Sequence, residues 1–342
     1  MLISTDRAQA LLKAMEGKSI AVVGDFFLDK YLLIDSGRDE PSLETGLTAY
    51  QVTGRRLYPG AAGTVAKNLT ALGVGKVFAV SVIGNDGEGF ELKRELTAQG
   101  VDISHIIEDS RRMTPTYTKP MRSQGDDWEE SNRLDFKNFT PMPADLRGKI
   151  IQTVRALSSK VDAIIALDQV CEAECGVLSG DVREAIAQIG AECPEKVVYA
   201  DSRAFIDVFR NMIVKCNNLE VVKAVFPDHK GDSNPELLAQ CARELVARNK
   251  KPVFITQGEK GQIVADGEEL VEVPAVRLEG PLDICGAGDA TTAGIVSALC
   301  CGASLAEAAA LGNIVASITI QKLNVTGEAS PAEVIERVKS LA

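Results

Sequence analysis

Five short apolar runs set the strongest limit on how this chain can fold. Ser19 to Val23, Val77 to Val82, Val161 to Ala166, Val197 to Ala200 and Val253 to Thr256 are rich in β-branched residues and lack polar alternation. A strand with one wet face alternates polar and apolar positions, whereas strands of this kind need cover on both faces of their sheet. Helix-start signals lie between and after them. Asn234-Pro235-Glu236 supplies an N-cap, a first-turn proline and a first-turn acid, while Ser304-Leu305-Ala306-Glu307 and Ser330-Pro331-Ala332-Glu333 read as capping boxes. Strands alternating with helices predict an α/β fold, a doubly wound and mostly parallel sheet flanked by helices.

Two segments depart from that rhythm. Residues from about 30 to 58 and from about 107 to 137 are rich in Thr, Tyr, Arg and Asp, with alternating stretches such as Thr114 to Met121. They predict a small solvent-facing β-sheet inserted into the first βα units, serving as a lid over a substrate site. The bland alternative is a pair of unrelated surface loops, although structureless loops of such length are uncommon. We read residues 1–342 as a single domain with these two insertions as its lid.

A net charge of −11 argues against nucleic acid or an anionic membrane surface as partner, and leaves room for a local phosphate site. No run of about 18 apolar residues predicts a membrane span. The N-terminus lacks the apolar core of a signal peptide. The eight cysteines show no C-x-x-C spacing, and with only His105 and His229 beside them the chain offers no zinc pattern. Reduced thiols predict a cytoplasmic location.

Asp283-Ile284-Cys285-Gly286-Ala287-Gly288-Asp289 carries the most chemistry. Small residues lead into an Ala/Gly-rich helix pattern, so the first N–H groups of that helix stand unobstructed and attract anions such as phosphate. A carboxylate in the same turn repels an anion, unless its task is to take a proton from a hydroxyl attacking that phosphate. The plain alternative is a tightly packed helix start with Asp289 as dipole partner.

Weaker constellations surround it. Asp25 and Asp29 follow the first strand, where open α/β sheets bind ligands, though Asp also forms turns. Pro59-Gly60-Ala61-Ala62-Gly63-Thr64 opens a helix whose small residues permit either a ligand near the backbone or close packing. Gly84-Asn85-Asp86-Gly87-Glu88-Gly89 lacks dinucleotide-fingerprint spacing and reads as a turn and helix start. Asn217 and Glu220 offer an amide and a carboxylate to hydrated Mg²⁺, or a simple first-turn acid. Thr256 to Gly261 joins two strand runs as a turn or a nucleotide border. Trp128, among acidic neighbours, reads as a wet loop tip.

The order of these pieces resembles the ribokinase-like PfkB carbohydrate kinase family over nearly the whole length. Asp283-x-x-Gly286-Ala287-Gly288-Asp289 is similar to that family's D-T-x-G-A-G-D, and Gly24 to Asp29, Pro59 to Gly73, Val82 to Asp86, Asn217 with Glu220, Thr256 to Gly261 and Asn313 follow in register. Gly24 to Tyr31, the Pro-Gly-Ala-Ala stretch, Thr114-Pro115-Thr116 and Arg133-Leu134-Asp135 look most like the heptose-phosphate kinase domain of ADP-heptose synthase. The adenylyltransferase domain carried by some members has no counterpart in these residues.

The resemblance implies roles. Asp289 would be the base, and the N–H groups of Gly286, Ala287 and Gly288 the anion hole. Asn217 and Glu220 would position Mg²⁺, Thr256, Gly258 and Gly261 would border ATP, and Asn313 would lie near the adenine. Asp283 resembles the residue that helps hold a monovalent cation such as K⁺ in several members. Asp25, Asp29, Gly60, Ala61, Thr64 and Arg133 would face the sugar. Thr64 stands where the family has a sugar-contacting Asn, and Ile284 and Cys285 also depart from the motif, which leaves the sugar open.

The function expected is therefore ATP-dependent phosphorylation of a hydroxyl on a sugar or sugar phosphate. D-glycero-D-manno-heptose 7-phosphate, at its anomeric position, is the first candidate; another hexose, pentose or sugar phosphate is the alternative. A sugar-binding or regulatory protein of the same fold, without efficient chemistry, is the reading from another class. Lid strand edges offer a route to a homodimer.

Overall fold

The computed structural model describes residues 3–125, 127–267, 269–323 and 325–341. After helix α1 (Thr5–Met15) come β1 (Ser19–Gly24), β2 (Phe26–Ile34), the two-residue strands β3 (Glu40–Pro41) and β4 (Thr48–Ala49), and β5 (Val52–Ala61). Then follow α2 (Ala62–Ala71), β6 (Lys76–Gly84), α3 (Gly87–Ala98), β7 (Asp102–Asp109), β8 (Thr116–Gln124), β9 (Asp127–Glu130) and β10 (Leu134–Phe136). The central part runs α4 (Ala144–Ser158), β11 (Ala163–Asp168), α5 (Gly180–Glu192), β12 (Val197–Ser202), β13 (Ile213–Asn217), α6 (Asn218–Val225) and α7 (Pro235–Asn249). It closes with β14 (Val253–Thr256), β15 (Gln262–Asp266), β16 (Glu269–Val273), α8 (Ala287–Cys300), α9 (Leu305–Thr319) and α10 (Pro331–Ser340).

Among the described residues the main sheet has nine strands in the order β16-β15-β14-β13-β12-β11-β1-β6-β7. Pairing is parallel from β14 through to β7, and only the β14-β15-β16 edge is antiparallel. The unbroken apolar runs have their physical reason here. Ile20 and Val22 of β1 enter one core with α1, α2, α8 and α9, while Ala21 and Val23 enter the other with α4, α5 and α7. Both faces are dry. The capping boxes form as read, Ser304 with Glu307 and Ser330 with Glu333, and Asn234 caps α7 ahead of Pro235.

A second sheet stands apart, in the order β10-β8-β2-β5 with β9 on β8. It is mixed: β2 pairs β5 antiparallel and β8 parallel. Its strands begin earlier than the expected insertion at about 30, since β2 opens at Phe26 and β5 runs to Ala61. The expected second insertion contains the end of β7, which pairs with β6 at the main-sheet edge, so only β8 to β10 join the second sheet. Trp128 lies in strand β9, paired across to Ser123, rather than in a loop tip. Asp86 caps α3 by accepting from Gly89 N–H at 2.8 Å, the turn and helix start expected there.

β1 lies between β6 and β11, and the chain leaves it in opposite directions. That is a switch point, where the carboxyl ends of strands leave a crevice for ligands.

Candidate active site

Gly286 caps α8 with φ +78°, a left-handed conformation that glycine adopts without strain, and a Cβ there would stand 2.9 Å from Thr326 Cγ2. The Ala287 N–H donates to the Ile284 carbonyl at 3.1 Å, so this donor is engaged within its own turn. The N–H groups of Gly286 and Gly288 meet no acceptor among the described residues. They are the helix-start donors left for a ligand. Asp289 follows in the same turn, partly buried against the cleft. Desolvation, joined by the fields of Asp201 and Asp29, pushes its carboxyl up to about 7, against the pull of Lys215 and Arg203. A carboxylate that titrates near neutrality is suited to exchange protons.

Sequence reading passes over the cation that completes this arrangement. The parallel register of β12 and β13 sets Lys215 opposite Asp201. Lys215 Nζ donates to Asp201 Oδ2 at 2.6 Å, and Thr292 Oγ1 donates to the same oxygen at 3.0 Å. A Cβ on Gly288 would lie 3.2 Å from Lys215 Nζ, which puts the ammonium against the first turn of α8. Burial alone would lower the lysine's proton affinity; Asp201 outweighs it, and the net direction is upward. Lys215 is therefore charged. The available signal was a lysine inside a buried apolar strand, which needs a partner.

These groups form one wall of a cleft of about 1380 Å³. Asn217 and Glu220 line it and cap α6 reciprocally: Asn217 Oδ1 accepts from Leu219 and Glu220 N–H, and Glu220 Oε2 accepts from Asn217 N–H at 2.8 Å. Glu220 Oε1 takes no hydrogen bond from any described residue. Burial raises the Glu220 carboxyl above the usual range. Farther along lie Thr256, Gly258 and Gly261. Gly261 has φ +97°, and a Cβ on it would sit 2.1 Å from the Val273 carbonyl oxygen, so only glycine fits the turn. Asn313 also lines the cleft. It accepts from Gln262 Nε2 at 2.7 Å and donates to the Val273 and Pro274 carbonyls, pinning α9 to the sheet edge.

The acceptor end lies where the two sheets meet. Asp29 is 9% exposed and 3.9 Å from Lys119 Nζ, and a Cβ on Gly60 would come within 2.9 Å of Asp29 Oδ2. Its charge reaches Asp289 across the gap. Asp25 is 3% exposed, and its carboxylate accepts from the N–H groups of Gln169, Val170 and Val177. It organises the loop after β11. Thr64 is buried, and its hydroxyl donates to the Pro59 carbonyl at 3.2 Å. Ala61 joins β5 to α2 with a positive φ. Arg133, in the second sheet's approach to β10, pairs bidentately with Asp135 and lies over the Tyr117 ring at 4.2 Å. Asp283 accepts from Cys285 N–H at 3.0 Å and braces the loop before α8. Asp168, at the end of β11, is a further cleft residue that the sequence reading omits. Burial, then the charge of Asp25, pushes it to about 7, while Ser202 Oγ donates to it at 2.7 Å.

Known proteins share this architecture. The family model described as pfkB family carbohydrate kinase matches residues 18–332. A bifunctional protein HldE from Geobacter metallireducens is 30% identical over 316 residues, and one from Geotalea uraniireducens is 29% identical over 320. The matches cover 92% and 93% of this chain, which spans only 61% and 62% of those relatives. A ribokinase from Arabidopsis thaliana, solved with ribose and ATP, superposes at a TM-score of 0.68 with 17% identity, covering 94% of this chain and 99% of its own. Phosphofructokinase-2 from Escherichia coli, in complex with substrates and products, gives 0.68 with 18% identity, covering 95% and 99%. By the match over residues 18–332, the chain is a member of the pfkB family of carbohydrate kinases.

Proposed function

We propose that the protein transfers the terminal phosphoryl group of ATP to a hydroxyl of a sugar or sugar phosphate, with Asp289 as the base. The observation that carries this is one carboxylate near neutral pKa in the same helical turn as two free N–H groups, with the Lys215 ammonium against that turn. Phosphoryl transfer asks mainly for positioning and neutralised charge. Here the N–H groups of Gly286 and Gly288 and the Lys215 ammonium receive the migrating group's charge, and Asp289 takes the hydroxyl proton. The Ala287 N–H takes part only if its turn opens.

Thr256, Gly258, Gly261 and Asn313 border the nucleotide in this reading, and Asp29, Gly60 and Ala61 face the sugar. Asp25 and Thr64 support that wall from behind, given where their polar atoms are spent. No cluster of three metal-ligating side chains occurs among the described residues. That suits Mg²⁺, which keeps several waters and binds through one or two carboxylates plus substrate phosphates. Glu220, with Oε1 unengaged, and Asn217 would hold it, and when bound it would offset phosphate charge. Asp283 is the candidate for a K⁺ contact. The second sheet acts as the lid, and its exposed edge pairs two subunits. A cytoplasmic enzyme using D-glycero-D-manno-heptose 7-phosphate at the anomeric hydroxyl is the specific candidate, supported by the relatives named HldE.

Sugar-dependent ADP release by Asp289→Asn tests the base. Turnover should fall by roughly 10²–10⁴ with ATP binding nearly unchanged. With the intact protein, kcat/KM should climb as pH rises through about 7, as Asp289 loses its proton. Near-normal turnover by the variant would remove Asp289 from this role. A protein that binds sugars across a panel yet releases no ADP would instead be a sensor of the same fold.

A further inference from the structure

The end of β12 brings two residues to the cleft wall, Asp201 and Arg203, and they are used differently. Asp201 Oδ2 accepts from Lys215 Nζ at 2.6 Å and from Thr292 Oγ1 at 3.0 Å, so it ties β13 and α8 to its own strand. Arg203 is fixed through its backbone, its N–H donating to the Asp168 carbonyl at 3.0 Å. Its side chain is exposed and makes no hydrogen bond or ion pair with any described residue. The backbone is anchored and the guanidinium is free.

Its surroundings give that free head a use. Arg203 lines the main cleft with Lys215, Glu220, Gly288 and Asp289, and it also lines a smaller cavity of about 140 Å³ at the acceptor end, with Asp25, Phe27 and Tyr117. It therefore stands at the junction of the donor and acceptor sides. Lys215 and Arg203 both pull on the carboxyl of Asp289, and both pull on that of Glu220. Lys215 is 5% exposed, spent on Asp201 and set against the first turn of α8, so its place is fixed. Phosphoryl transfer spreads charge over three equatorial oxygens while the group passes between two others. A planar guanidinium bonds two such oxygens at once, which an ammonium point charge does not, and this one has no partner to give up.

We propose that Arg203 is a further catalytic residue, bridging equatorial oxygens of the migrating phosphoryl group in the transition state. In that step the acceptor hydroxyl oxygen forms a bond to the terminal phosphorus. The bond from that phosphorus to the ADP oxygen breaks, its electron pair goes to ADP, and the hydroxyl proton passes to Asp289. Arg203 stays protonated throughout and gives only hydrogen bonds. The inference rests on the kinase reading above and adds a mobile cation to the fixed groups named there.

Arg203→Gln removes the charge from an exposed position and leaves the core intact. The assay uses ATP, Mg²⁺ and whichever of ribose, fructose 6-phosphate and D-glycero-D-manno-heptose 7-phosphate supports ADP release. In the variant kcat should fall by roughly 10²–10³, with both KM values within about threefold. Calorimetry supplies a readout without turnover, with aluminium fluoride standing in for the phosphoryl group in flight. Beside the same sugar and Mg²⁺, fluoride should tighten ADP binding about tenfold or more in the unmutated protein and less than about twofold in Arg203→Gln. Equal ADP affinities without fluoride show that the variant is folded. An unchanged kcat, with or without a raised KM, or an equal gain from fluoride in both proteins would overturn this role for Arg203. The kinase reading fails by a different sign: the unmutated protein would release no ADP with any of the three sugars and gain nothing from fluoride, and the inference would fall with it.

Discussion

Ala61 holds φ +52° and ψ −119° at the joint between β5 and α2. Glycine enters such a region freely, whereas a residue with a Cβ is strained there by about 1–3 kcal/mol. The surroundings enforce it, since Ala61 is in register with Phe26 on one side and α2 begins at Ala62 on the other. We expect Ala61→Gly to raise stability in urea by about 1 kcal/mol, less than the full strain because glycine frees the unfolded chain. An unchanged or lower midpoint would mean that the strain is already relieved. Asp168 makes a second residue-scale prediction. Its folded carboxyl titrates near 7 against 3.8 unfolded, so the folded state keeps the proton longer. This group's contribution is therefore greatest below about pH 4 and is lost as pH rises through about 7. Asp168→Asn keeps an acceptor for Ser202 and removes the buried charge. It should gain about 1–3 kcal/mol at pH 8 and flatten stability between pH 4 and 7 in denaturation series. A variant no more stable at pH 8 would refute the burial argument.

At the scale of elements, the sequence speaks clearly where the signal is local. The β1 run and the capping boxes of α9 and α10 depend on neighbours a few residues apart, and they form as read. Gly286 and Asp289 were legible for the same reason, because one helical turn holds them together. Lys215 was not. Its meaning comes from Asp201, which only the pairing of β12 with β13 brings opposite, and from Gly288, far along the chain in α8. Asp25 and Thr64 are a different case. Their residue types suit a sugar, and the fold also directs their polar atoms to backbone groups that no spacing rule reveals. The edges of the second sheet were misplaced because β2 follows β1 after a single residue, with no loop to mark the change.

At the scale of the molecule, the second sheet has both a clamp and a sticky end. Lys30 of β2 reaches Glu88 at 3.1 Å and Glu91 at 3.5 Å on α3, and Arg55 of β5 also pairs with Glu91. On the excursion between β2 and β5, Leu43, Leu47 and Tyr50 are exposed. Exposed apolar groups on one excursion suit a contact surface, and the homodimer proposed above would use it. Sedimentation should show a dimer that Leu43→Lys with Leu47→Lys converts to monomer; a monomer before mutation would exclude that pairing. The two joints of this sheet have a mechanical meaning. Asp25 alone separates β1 from β2, and β5 passes into α2 at Ala61 with nothing between. If this sheet closes on the acceptor as proposed, the wall that meets the sugar is also where the sheet joins the rest of the chain. Trp128 lies in β9 of that sheet as the chain's one indole. Its emission should shift when an acceptor sugar is added without ATP, and an unmoved spectrum on saturation would show that the arm does not swing.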